Sequence, residues 1–137
     1  MEWYLKAAAN GNSYAQNSIG YMYYDGLGIE QDYAKAMEWY LKAAANGNSS
    51  AQNSIGYMYQ YAQGVEKDEA KAIEWYLKAA AVGLTRAQYH IGYLYENGLG
   101  VEKDQNKAIE WYEKAAAQGN TDAQARLNEL KKYSKST

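Results

Sequence analysis

Small and apolar residues fall on one side of a helix in a pattern that recurs along the chain. Ala15, Ile19, Met22 and Tyr23 follow the helical period, and so do Ala36, Tyr40, Ala43 and Ala44. The dipeptide Trp-Tyr marks the second set. It appears as Trp3-Tyr4, Trp39-Tyr40, Trp75-Tyr76 and Trp111-Tyr112, each 36 residues after the last. A fixed period of this length implies stacked copies of one small helical unit.

The pattern predicts two helices per copy. First helices are expected at 14–25, 50–61, 86–97 and 122–134. Ser13-x-x-Gln16, Ser49-x-x-Gln52, Thr85-x-x-Gln88 and Thr121-x-x-Gln124 precede or open them and read as capping boxes. Second helices follow the N-capping Asp32, Asp68 and Asp104 and run to Ala45, Ala81 and Ala117. Gly20, Gly56 and Gly92 sit in the middle of first helices, where glycine costs about 1 kcal/mol against alanine. Their recurrence predicts that another helix passes too close for a side chain.

Asp25-Gly26-Leu27-Gly28 and Asn97-Gly98-Leu99-Gly100 end two of the first helices. The middle copy has Tyr61-Ala62-Gln63-Gly64 there. Alanine resists the left-handed conformation, so that helix is expected to run on or its turn to be reshaped. Trp39 should pack in an inter-helix groove, with Lys42 on the wet side and paired with Glu38 four residues before it.

The first copy opens with a second helix alone, ending at Asn10-Gly11, as in a truncated or engineered array. The last first helix has no second helix after it. Ala123, Leu127 and Leu130 form one side of it, with Arg126, Asn128, Glu129, Lys131 and Lys132 around them. Asn128 replaces the mid-helix glycine, which fits a polar cap, and Ser134 to Thr137 should fray. The organisation expected is one domain over 1–137: a half unit at 1–12, full units at 13–48, 49–84 and 85–120, and a cap at 121–137.

Composition narrows the chemistry. The 137 residues hold 16 Tyr and 4 Trp but no Phe, Pro or Cys, so tyrosine must build much of the core and each buried hydroxyl needs a partner. Without cysteine there is no disulfide, thiolate metal site or thiol nucleophile. The net charge of −2 is spread rather than blocked, which argues against nucleic acid or an anionic membrane as partner. No apolar run reaches membrane-spanning length and no signal peptide is visible, which leaves the cytoplasm as the default expectation. His90 is the lone histidine, with no carboxylate spaced to make it part of a triad or metal site, and it reads as a surface or groove residue. The glycine turns lack a preceding strand and a phosphate-loop lysine, so no nucleotide or other cofactor is expected.

The copies differ mainly along one face of the first helix. Tyr14 becomes Ser50, Arg86 and Asp122; Asn17 becomes Asn53, Tyr89 and Ala125; Ser18 becomes Ser54, His90 and Arg126. Tyr24 becomes Gln60 and Glu96, and Asp25 becomes Tyr61 and Asn97, while Tyr21, Tyr57 and Tyr93 stay constant. Helical geometry puts these on one side, away from Ala15, Ile19 and Met22. A tyrosine stripe with changing polar neighbours suits an adaptable binding face. The candidate contact residues for a peptide or protein are Tyr14, Asn17, Ser18, Tyr21, Tyr24, Asn53, Tyr57, Tyr61, Arg86, Tyr89, His90, Tyr93 and Asn97.

Ala15-x-x-x-Ile19-Gly20-x-x-Tyr23, then Gly26-x-Gly28, Asp32-x-x-Lys35-Ala36, Trp39-Tyr40 and Ala43-Ala44-x-x-Gly47, resembles the Sel1-like repeat, a cousin of the tetratricopeptide repeat. The resemblance covers nearly the whole chain. It implies an all-α, right-handed solenoid of antiparallel helix pairs, with first helices lining the concave surface, acting as an adaptor in signalling or complex assembly. A secreted, disulfide-rich bacterial branch has been linked to β-lactam binding; this chain lacks every cysteine of that branch. The function expected is therefore a non-enzymatic interaction scaffold. The alternatives are a designed or truncated array without a dedicated ligand, self-associating through its end helices, and a carbohydrate-binding groove.

Overall fold

The computed structural model describes residues 2–135. Among them eight α-helices and no strand follow one another. They are α1 (Glu2–Ala9), α2 (Ser13–Asp25), α3 (Tyr33–Ala45), α4 (Ser49–Gln60), α5 (Glu69–Ala81), α6 (Thr85–Asn97), α7 (Gln105–Ala117) and α8 (Thr121–Lys135). Each packs on its chain neighbours, α2 most extensively on α3, α4 on α5 and α6 on α7. The result is a stack of helix pairs, an all-α solenoid.

The second helices start as expected. Asp32 Oδ1 accepts from Lys35 N at 3.0 Å, and Asp68 and Asp104 do the same for Lys71 and Lys107. The first helices do not. The capping boxes are overturned, because the N-cap lies one residue earlier. Asn12, Asn48 and Asn120 Oδ1 accept from Ala15, Ala51 and Ala123 N at 2.8–2.9 Å. In the third copy Leu84 holds the cap position with no side-chain bond. Gln16, released from the box, reaches the preceding helix and donates to Ala8 O at 3.1 Å.

Each hydrophobic cluster joins a second helix to the first helix that follows it. Ala8 of α1 packs with Ala15 and Ile19 of α2. Tyr40 and Ala43 of α3 pack with Ile55 and Met58 of α4, and α5 with α6 and α7 with α8 follow the same scheme. Tyr23, Tyr59 and Tyr95 each touch two successive clusters. Trp39, Trp75 and Trp111 are half-buried, each against the cluster before its own helix. Lys42 Nζ lies 4.1 Å over the Trp39 ring instead of pairing with Glu38, and Lys78 and Lys114 repeat this on Trp75 and Trp111. A cation held over indole replaces the expected ion pair.

The recurring mid-helix glycines have a direct cause. A Cβ on Gly20, Gly56 or Gly92 would lie 2.7–2.8 Å from the ring of Tyr40, Tyr76 or Tyr112. These three rings are fully buried and fill the space between paired helices. Asn128, at the matching place in α8, is exposed and faces no such ring.

The turn after α4 corrects another expectation. The helix does not run on; it ends at Gln60. Ala62 adopts φ 55°, the left-handed conformation that Gly26 and Gly98 supply in the other copies. Gln63 N still donates to Met58 O, as Leu27 N does to Met22 O and Leu99 N to Leu94 O. The shared turn overrides the local preference of alanine, at a cost of about 1–2 kcal/mol.

Two expectations at the ends also change. Met22 is only half-buried, whereas its counterparts Met58 and Leu94 are sealed; Tyr23 is half-buried, as Tyr59 and Tyr95 are. Among the described residues no first helix packs over Ser18 and Met22 of α2. At the other end α8 continues through Ser134 and Lys135; Ser136 and Thr137 lie outside the described residues. Ala123, Leu127 and Leu130 are buried against α7, while Asn128, Glu129, Lys131 and Lys132 are exposed.

Candidate functional site

The face shared by α2, α4 and α6 is set by what each first helix presents to the copy before it. Residues 18, 54, 90 and 126 occupy one column, and their identity decides how closely the copies join. His90 closes the second junction. Its ring stacks on Tyr76 at 4.7 Å between centroids, and its Nδ1 lies 3.1 Å from Asn53 Oδ1. An Nδ1–H donating to that amide oxygen satisfies both groups. Burial, reinforced by the charge of Arg86, pushes the imidazole down to about 4, so it is neutral at physiological pH.

Arg126 closes the third junction. Its Nε donates to Glu96 Oε1 at 3.2 Å and its Nη2 pairs with Glu96 Oε2. Tyr112 OH donates to the same carboxylate at 2.7 Å. Burial raises the Glu96 carboxyl, but the bonds from Arg126 and Tyr112 outweigh it and hold it below the usual range. The equivalent bond one copy earlier runs from Tyr76 OH to Gln60 Oε1 at 2.6 Å.

The first junction is different. Ser54 stands in the column and is too short to fill it. Tyr24 stands where Gln60 and Glu96 stand in later copies, and its hydroxyl turns away to donate to Gln63 Oε1 at 2.8 Å. Asn17 Oδ1, the counterpart of Asn53 Oδ1, is buried with no hydrogen-bond partner. Such a group costs about 1–3 kcal/mol.

A cleft of about 330 Å³ opens at this place. Asn17, Tyr21 and Tyr24 of α2 form one wall, Tyr40 of α3 the floor, Ser50, Asn53, Ser54 and Tyr57 of α4 the other wall, and Arg86 and His90 of α6 the far rim. Burial raises the Tyr40 hydroxyl far above the ordinary phenol range. Tyr21 and Tyr57 remain 49% and 37% exposed, enough to offer ring faces to a guest.

Seven of the thirteen candidate residues therefore meet in one cleft: Asn17, Tyr21, Tyr24, Asn53, Tyr57, Arg86 and His90. Ser18 joins Tyr21 in a neighbouring hollow of about 390 Å³ with Tyr4, Met22 and Leu27. Tyr14 is exposed at the start of α2, and the Tyr61 ring packs at a tilt against Tyr57, 4.5 Å between centroids, beside the cleft. Tyr89 packs on Tyr112 at 5.7 Å, Tyr93 is half-buried, and Asn97 Nδ2 bonds Tyr93 O at the end of α6. Tyr40, Ser50 and Ser54 were not singled out from sequence. The signal for Ser54 was its small size where later copies carry His90 and Arg126. Among the described residues no three His, Asp or Glu side chains converge to hold a metal ion, and no helix is long and apolar enough to cross a membrane.

The Sel1 repeat model matches residues 1–12, 13–48, 49–84 and 85–120. A Sel1 repeat protein from Oxalobacter formigenes superposes with a TM-score of 0.83 at 44% identity, over 92% of this chain and 95% of that one. A protective antigen present in uropathogenic Escherichia coli strains superposes with a TM-score of 0.88 at 39% identity over 94% of this chain; the chain spans 28% of that antigen's length. The cysteine-rich protein B of Helicobacter pylori gives 0.71 at 25% identity over 92% of this chain and 90% of that one. No curated protein sequence matches it. With copies of the repeat matched end to end from residue 1 to residue 120, on helices that stack as those of its structural relatives do, the chain belongs to the Sel1 repeat family.

Proposed function

We propose that this chain is a non-enzymatic interaction module that holds a peptide or protein segment along the face of α2, α4 and α6, seated in the cleft between the first two full copies. Sel1 repeat proteins generally mediate protein–protein interaction. The observation that carries the reading is the unfilled junction at Ser54. There a missing side chain leaves a hollow, an unpartnered Asn17 amide oxygen and two accessible tyrosine rings. Such rings give large contact area at low entropic cost, and the hydroxyls and amides around them can pair with a guest backbone.

The test is Ser54→His. It copies the closed junction of His90 and gives Asn17 a partner. Peptides selected from a random display library on the unaltered protein should lose binding to the folded variant. Undiminished binding would remove the cleft as the site.

A second reading is self-association through the α1 end. Trp3 is 69% exposed, and Tyr4, Met22 and Leu27 line an open apolar hollow beside it. Light scattering over a wide concentration range checks it, and a strict monomer throughout would exclude it.

A further inference from the structure

We propose that the guest in this cleft presents a carboxylate to the guanidinium of Arg86, as the side chain of an Asp or Glu within an extended peptide. This rests on the peptide-binding reading above. The chain has two arginines, and they are used differently. Arg126 is paired with Glu96 through Nε and Nη2. Arg86 has one hydrogen bond, a long one of 3.4 Å from Nη2 to Ser50 Oγ. Among the described residues no carboxylate lies within 4.0 Å of it.

The cleft lining contains no Asp or Glu either. With His90 neutral, Arg86 is the single formal charge on its walls. An unspent guanidinium beside hydroxyl groups is complementary to a carboxylate, which it can grip with two parallel bonds. Ser50 and Ser54 add hydroxyl groups to the same lining. A phosphate would call for a second cation, and the lining holds none.

The carboxylate is assigned to a side chain rather than a chain terminus because the tyrosine row does not stop at Arg86. It runs from Tyr21 and Tyr57 in the cleft to Tyr93 on α6. A peptide held in the cleft can therefore continue past its Arg86–His90 rim along α6.

The experiment is selection of random displayed peptides in parallel on the unaltered protein and on the Arg86→Gln, Arg86→Lys and Ser54→His variants, each checked for unchanged helicity. The unaltered protein should enrich Asp or Glu at a fixed place in the selected peptides. A resynthesised peptide should bind Arg86→Gln about tenfold or more weakly, with Arg86→Lys between, and lose as much when its acidic residue becomes the amide. Enrichment of peptides with no acidic residue, or the same acidic peptides on Arg86→Gln with undiminished affinity, overturns the carboxylate assignment and leaves the peptide cleft standing. Dependence on a free C-terminal carboxylate in place of the side chain also overturns it. No enrichment relative to Ser54→His overturns the peptide reading itself, and this inference with it.

Discussion

The ring of Tyr76 occupies the space that a side chain on Gly56 would need, its Cδ1 2.8 Å from the position of the missing Cβ. Ala72 O lies 3.1 Å from the same point. Gly56→Ala should therefore destabilise the protein by about 1–3 kcal/mol, although alanine is the better helix former. Urea denaturation measures it. An increase in stability would mean the ring moves aside freely.

Ala62→Gly should work in the opposite sense. The left-handed conformation at φ 55° is natural for glycine, and relief of that strain exceeds the entropy glycine adds to the unfolded chain. A gain of about 0.5–1 kcal/mol is expected in the same denaturation experiment. A loss would show that the alanine methyl packs usefully in the turn.

The tryptophans should grade with position. Trp75 is half-buried against the α3–α4 cluster with Lys78 over its ring, so Trp75→Ala should cost about 2–3 kcal/mol, below the range for a fully buried ring. Trp3 is 69% exposed, and Trp3→Ala should cost under about 1 kcal/mol. Equal losses at the two sites would contradict the asymmetry of the stack.

Acid should weaken the second junction through His90. Its folded-state pKa, about 4, lies below the ordinary 6.5, so the unfolded chain takes up the proton more readily. The stabilising contribution is full above pH 6.5 and is lost as pH falls towards 4, amounting to at most a few kcal/mol. His90→Gln keeps an amide near Asn53 and should flatten the pH dependence of the melting temperature in that window. An unchanged slope would assign the acid response to other groups.

The fold was legible because one signal was repeated. A glycine, a tyrosine and a tryptophan in fixed register across copies leave little freedom in how helices stack. The caps were misplaced because Asn and Ser stand side by side at residues 12 and 13, and at 48 and 49; either is a competent cap. The third copy, where Leu84 precedes Thr85, favoured the wrong one. The site was half legible. Variation along the first helix marked the face on which the cleft opens, but some of it is pairing between copies. Gln60 changes to Glu96 as His90 changes to Arg126, thirty residues on, across the next junction. Only the packed structure tells such compensation from free surface.

Tyr23, Tyr59 and Tyr95 each bridge two clusters of the stack. Melting that begins at one end thus meets a ring that must be pulled from both sides before the next copy can loosen. Loss of structure should advance in jumps of a whole copy, not residue by residue. Amide exchange would then fall into plateaus, with the slowest protons in α4 and α5, midway along the stack.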